Sequence, residues 1–218
     1  MMHLEIMDLE TGLEILQPAT MILDAIGVAA FAATGALAAA RKDMDITGFA
    51  LLAIVTGVGG GTLRDVLLGI TPVGWVSDPF AVFLCIGVAA ITYLGYGRLQ
   101  FMRKAIVWCD ALGMALFSVT GAKLALAAGA APVVACAMGV VTATFGGIIR
   151  DVLSAEVPLI LRREIYATAS LLGAAVFVTL SALAIPVEFA FAGGFVAAFA
   201  LRALAIINGW SLPGRLNP

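Results

Sequence analysis

The sequence predicts an all-α integral membrane protein with seven transmembrane helices, arranged as two inverted three-helix repeats plus a seventh helix. Three observations carry that prediction: an extreme apolar composition, loops that alternate between basic and uncharged, and self-similarity at a shift of 86 residues. Hydrophobic residues make up 62% of the 218 positions and charged residues 12%. Soluble domains run about 45–50% apolar and about 25% charged. A soluble chain of this composition would expose large apolar patches and aggregate, so lipid must solvate most of its surface.

A helix crossing the hydrocarbon core needs about 20 mainly apolar residues. Breaks at Pro, Gly clusters and charges leave spans over 19–40, 46–69, 79–97, 105–127, 132–155, 163–184 and 187–207. Residues 1–18 carry Glu5, Asp8, Glu10 and Glu14 without any Lys or Arg, whereas a cleaved signal needs a basic start. They read as an acidic extracytoplasmic tail, in part an interfacial helix through Leu4, Ile6, Leu9, Leu13 and Leu16. The net charge of −2 says nothing about partners, and with no basic run longer than two residues nothing points to nucleic acid. Cys85, Cys109 and Cys136 are odd in number, far apart and set in apolar stretches, which points to packing rather than disulfides or metal.

Loop charge sets direction. Arg41 and Lys42 follow span one, Arg98, Arg103 and Lys104 follow span three, and Arg162 and Arg163 follow span five. Arg202 lies near the end of span seven, with Arg215 beyond it, while the loops near 70–78, 128–132 and 185–188 contain no Lys or Arg. The positive-inside rule then places the N-terminus outside and the tail 208–218 in the cytoplasm.

The repeat aligns Asp24-Ala25-Ile26-Gly27 with Asp110-Ala111-Leu112-Gly113, and Thr34-Gly35-Ala36 with Thr120-Gly121-Ala122. The same shift carries Gly60-Gly61 onto Gly146-Gly147, Arg64-Asp65-Val66-Leu67 onto Arg150-Asp151-Val152-Leu153, and Pro72 onto Pro158. Roughly 21 of 67 aligned positions are identical between 24–90 and 110–176. The first unit occupies 19–97 and the second 105–184. Each unit holds three spans, an odd number, so the second is predicted to be inverted in the membrane, and span seven, 187–207, stands outside the repeat.

Spans two and five hold the unusual residues: Thr56 followed by Gly59, Gly60 and Gly61, and Thr142 followed by Gly146 and Gly147. A Gly costs a helix interior about 1 kcal/mol relative to Ala, so such runs invite a bend or an unwound turn. Close helix packing is the alternative reading. Charges within a bilayer tend to face the bundle and pair. At about 1.5 Å per residue, Asp24 and Arg64 lie at one depth and Asp110 and Arg150 at another. Contacts Asp24–Arg64 and Asp110–Arg150 are therefore expected, with Asp65 and Asp151 capping or competing, whether the pairs serve function or brace the fold. Thr34 and Thr120 share a helix face with these Asp residues and are candidates for lining a polar passage. Lys123, opposite Leu37, reads as near the middle of span four: a charge sensor, a pore-blocking cation or a snorkelling side chain.

Catalysis finds no support. The only histidine is His3, and no P-loop, nucleotide fingerprint or HExxH occurs. A conduit fits better than an enzyme.

At the repeated Gly-Gly-x-x-Arg-Asp-Val-Leu segments the chain resembles the prokaryotic trimeric intracellular cation (TRIC) channels, a family that overlaps bacterial proteins labelled glycine transporters. The resemblance runs from Asp24 through Arg202-Ala203-Leu204-Ala205 and Gly209-Trp210-Ser211-Leu212-Pro213. It implies a homotrimer in a bacterial or archaeal plasma membrane, no cofactor, and a potassium-conducting pore in each protomer surrounded by lipid. It also implies that the glycine bends shape the narrow part of the pore and that Lys123 occupies a voltage-responsive position. Phe145 stands opposite Gly59, so the two bends need not be equivalent. A carrier for glycine or a similar small neutral solute is the alternative within the same fold.

Overall fold

The computed structural model describes residues 2–95 and 103–212, with side chains from Met21 onward in the first helix. Eight α-helices occur among these residues: α1 Met2–Arg41, α2 Ile46–Leu68, α3 Gly74–Ser77, α4 Phe80–Gly95, α5 Arg103–Ala127, α6 Pro132–Leu153, α7 Ala167–Ala182 and α8 Val187–Asn208. A 3-10 turn, Leu159–Leu161, precedes α7. The described residues contain no strand, only an isolated antiparallel bridge between Glu164 and Ser211.

The segment Met21–Arg41 and helices α2, α5, α6 and α8 are long and apolar enough to cross a membrane. Helices α4 and α7 have 16 residues each, about 24 Å at 1.5 Å per residue. Helix α7 is shorter than the predicted span 163–184. The cause is local: the chain from Leu159 to Tyr166 is spent on the 3-10 turn and the bridge before α7 begins. Helix α1 runs from Met2 to Arg41, through the predicted start of span one at residue 19. Leu, Met and Glu, which dominate its start, are strong helix formers. The predicted basic loop residue Arg98 and the tail residue Arg215 lie outside the described residues, as do the side chains of Arg103 and of the acidic residues before Met21.

Helix ends follow from local chemistry. Asp45 caps α2 by accepting from the Gly48 N–H at 2.9 Å, and Gly69 ends it in the left-handed region at φ 70°. Pro132 opens α6, where its missing N–H costs nothing. The buried hydroxyls of Thr56 and Thr142 donate to carbonyls four residues back, those of Leu52 and Met138, so neither hydroxyl is left unpaired.

Helix α1 packs on α2, α4 and α5, while α5 packs on α6, α7 and α8. At the centre α2 crosses α6, and the crossing is reciprocal. A Cβ at Gly60 would strike the Thr142 carbonyl oxygen, and a Cβ at Gly146 the Thr56 carbonyl oxygen. Each contact is the other shifted by 86 residues. The α1–α5 pair repeats the relation. A Cβ at Gly27 would lie 3.1 Å from the Phe117 ring, one at Gly113 would lie 2.8 Å from the Phe31 ring, and the two rings pack at 5.4 Å. Such i-to-j and j-to-i contacts are what two like units make across a two-fold relation.

The glycine runs do not unwind. Helix α2 is helical from Ile46 to Leu68 and α6 from Pro132 to Leu153. No unwound turn therefore occurs, and at Gly60 and Gly146 the backbone-to-backbone approach leaves no space for a side chain, as close packing requires. Gly60→Ala or Gly146→Ala must push the two helices apart. Each is expected to lower thermal stability in detergent by about 1–3 kcal/mol, as overpacking does. Gly87→Ala, where a Cβ meets nothing within 4 Å, is expected to change it little.

Candidate functional site

Two cavities flank the α2–α6 crossing, one per unit. The first, about 250 Å³, is lined by Asp24 of α1, Gly61, Arg64 and Asp65 of α2, and Trp75 of α3. The second, about 180 Å³, is lined by Asp110 of α5, Arg150 and Asp151 of α6, and Glu156 and Glu164 beyond it. The Asp, Arg and Asp of one set are the other's counterparts at the 86-residue shift.

In the second cavity the expected Asp110–Arg150 pair is present. The Arg150 Nη1 donates to Asp110 Oδ1 at 2.8 Å and to Thr34 Oγ1 at 2.8 Å, and its Nε donates to Asp151 Oδ1 at 2.9 Å. All four residues are buried. The carboxylate of Asp151 does double duty, because its Oδ2 accepts the Leu159 N–H at 3.0 Å and so tethers the loop after α6. Gly147 makes room for the cluster: a Cβ there would sit 3.6 Å from the Arg150 guanidinium and 3.9 Å from Asp110 Oδ1.

The first cavity departs from expectation. Arg64 binds its neighbour Asp65, Nη2 to Oδ1 at 2.7 Å and Nε to the same oxygen at 2.9 Å, and no ion pair forms with Asp24. That carboxylate is exposed and faces the cavity instead. Two adjacent helical residues need only a side-chain turn to pair, whereas Asp24 must approach from another helix. Asp65 Oδ2 accepts the Gly74 N–H at 3.0 Å, and the Trp75 Nε1–H donates to Thr62 Oγ1 at 2.9 Å. These two bonds hold α3 over the cavity.

Thr34, Thr56 and Thr142 are fully buried and Thr120 is partly buried. Gly59 faces Ile149, with a Cβ 3.0 Å from its Cδ1, whereas Gly61 opens toward the Arg64 guanidinium. Lys123 is not at mid-helix. It lies one turn before the end of α5 at Ala127, partly buried, with no ion pair among the described residues. A Lys one turn from a helix end can snorkel.

Arg202, read from sequence as a topological marker, is a structural residue. It is buried on α8, donates to Glu164 Oε2 at 2.7 Å and to the Ile165 carbonyl at 3.1 Å, and stacks 5.2 Å from the Tyr166 ring. An Arg within an apolar helix demands such partners, which was the signal available. Glu156 gathers Arg162 at 3.5 Å, Lys42 at 3.7 Å and Arg41 at 3.9 Å. Among the described residues no group of His, Cys, Asp and Glu has metal-binding geometry.

Removing one partner of a buried ion pair strands the other. Arg150→Gln leaves Asp110 and Asp151 uncompensated and is expected to cost about 3–5 kcal/mol of stability. Arg64→Gln, beside the exposed Asp24, is expected to cost clearly less. Thermal unfolding of both variants in one detergent checks the order.

The family model described as glycine transporter matches residues 21–96 and again 107–182. Both ends of the second match are displaced from the first by the repeat shift. The inner membrane protein YadS of Escherichia coli, a UPF0126 protein, is 41% identical over 88% of this chain and 93% of its own. The UPF0126 membrane protein of Vibrio cholerae is 39% identical over 88% and 81%. Among solved structures, the TRIC trimeric intracellular cation channel orthologue from Rhodobacter sphaeroides is 55% identical, with a TM-score of 0.85 over 88% of this chain and 99% of that one. A prokaryotic TRIC channel crystallised in 0.5 M KCl is 32% identical, with a TM-score of 0.84 over 90% and 100%. With the repeated motif, the twice-matched model and the shared fold in agreement, the chain belongs to the glycine transporter (UPF0126) family of membrane proteins and has the fold of the TRIC channels.

Proposed function

We propose that the chain is a cation channel of the prokaryotic plasma membrane, conducting potassium along a path within each protomer of a homotrimer. The observation that carries this reading is the pair of polar cavities on either side of the α2–α6 crossing, in a chain 55% identical to a TRIC cation channel orthologue. The cavities are the mouths and the crossing is the constriction. Carboxylates at both mouths, Asp24 and Asp65 at one and Asp110 and Asp151 at the other, raise the local cation concentration. Gating acts at the crossing, where Gly60 and Gly146 let the helices slide with no side chain between them.

In this reading α4 and α7 also cross the bilayer, giving seven spans, and the two units lie inverted about an axis in the membrane plane. The basic loops place the N-terminus outside and the C-terminus in the cytoplasm. The first cavity then faces outward and the second inward.

The family model's description favours a second reading, a carrier for glycine or another small neutral solute. Purified protein in planar bilayers separates the two. Unitary potassium currents are expected, and saturable glycine uptake without conductance would overturn the channel. Lys123→Gln is expected to leave the voltage dependence unchanged, since a side chain one turn from the helix end crosses little of the field. A flattened voltage response would restore the sensor role.

A further inference from the structure

The two mouths are built from the same residue types 86 positions apart, yet their geometries differ. Arg150 is seated. It joins Asp110 of its own unit to Thr34 of the other. The equivalent seat for Arg64 would join Asp24 to Thr120, but Arg64 holds only Asp65. Burial follows the same division: Thr34 and Asp110 are 0% and 1% exposed, whereas Thr120 is partly buried and Asp24 exposed. The mouth with the seated arginine is also the smaller, about 180 Å³ against about 250 Å³.

The helices that carry these groups meet at their aromatic pair. Helices α1 and α5 run antiparallel through the Phe31–Phe117 contact, with Gly27 and Gly113 receiving the opposite rings. In that register Thr34 and Asp110 lie on one side of the aromatic pair, and Asp24 and Thr120 lie at equal sequence distance on the other. Seating Arg150 draws Thr34 and Asp110 together. About a central pivot, closing one end spreads the other.

We infer that Arg150 and Arg64 are alternating latches, each closing its own mouth when seated, and that Thr34 and Thr120 are the residues that position them. The inference rests on reading the two cavities as the mouths of one path, which conducts while neither arginine is seated. The resting choice of Arg150 has a source in the sequence. Helix α8 braces only the second mouth, through Arg202 to Glu164 and over Tyr166; Phe80 is the counterpart of Tyr166 and offers no hydroxyl. A state with Arg64 seated and Arg150 free is the same fold with the roles of the units exchanged.

The test uses full-length protein in lipid nanodiscs and a membrane-impermeant maleimide. Val107→Cys reports on the second cavity and Ala81→Cys on the first; both residues line their cavities. The chain without a reporter supplies the background from its own cysteines. Thr34→Val removes a hydrogen bond to a charged group, so labelling at the second cavity should rise about tenfold and labelling at the first should fall. Thr120→Val disfavours the exchanged state, so second-cavity labelling should fall by about tenfold instead. Thr34→Ser and Thr120→Ser should retain the unsubstituted rates.

Reporters that move together, or that stay unmoved in Thr34→Val, would overturn the latches. If Thr34→Val does not fold, Thr120→Val decides alone, because it loses no bond in the resting arrangement and unchanged second-cavity labelling refutes the proposal. Potassium currents are measured on the same variants. Opposed labelling without currents would sink the channel and keep the latches, whereas currents with unmoved labelling would do the reverse.

Discussion

Everything else in the molecule depends on the backbone contact between α2 and α6. Gly60 meets the Thr142 carbonyl and Gly146 meets the Thr56 carbonyl, and any side chain at either glycine would occupy the position of a carbonyl oxygen. Helices that approach so closely bury little apolar area. In lipid that is no handicap, because dispersion and close packing replace the hydrophobic effect as the force between helices. The threonines beside the glycines turn their hydroxyls back onto their own helices, so the contact is polar in composition yet leaves no donor unpaired. The crossing fixes the distance between the units and thereby the positions of both arginines, which sit one turn beyond it.

The charges show how an apolar bundle tolerates ions at depth. A lone guanidinium in hydrocarbon is expensive, and each arginine is offset by an aspartate at the next position, whose second oxygen binds a loop N–H. Arg, Asp and loop thus form one hydrogen-bonded chain at each mouth. Such a chain couples the loop to the cavity: a shift of the loop moves the aspartate, and the aspartate carries the arginine. The second mouth gains a further layer from α8, which belongs to neither unit. Arg202 spends its charge on Glu164 and the Tyr166 ring, and the difference between the mouths is therefore written partly into sequence that the repeat does not contain.

Much of this architecture was legible in the residues. Composition and loop charge call for a membrane bundle because lipid and water partition side chains by simple rules, and the 86-residue shift is visible because Arg-Asp, Gly-Gly and Pro recur in one register. The Asp110–Arg150 contact followed from depth alone. The Asp24–Arg64 contact did not, because depth fixes height along the membrane normal and leaves rotation and lateral distance open. The glycine runs were ambiguous for a related reason. Low helix propensity permits both bending and close approach, and only the neighbouring helix decides between them. Lys123 lies four residues from the end of both the predicted span 105–127 and α5, so a mid-span position does not follow from either boundary.

The sequence by itself determined the bilayer as solvent, the duplicated unit and the identity of its polar residues, since each of these depends on side-chain chemistry that no packing can alter. Tertiary structure decided which charges meet, that α2 and α6 remain helical through their glycines, and that two chemically alike cavities hold their arginines differently. Those outcomes depend on distances of a few ångströms between helices far apart in the chain. They are set by backbone contact and by the brace from α8, whose residues the sequence displays but whose partners it does not.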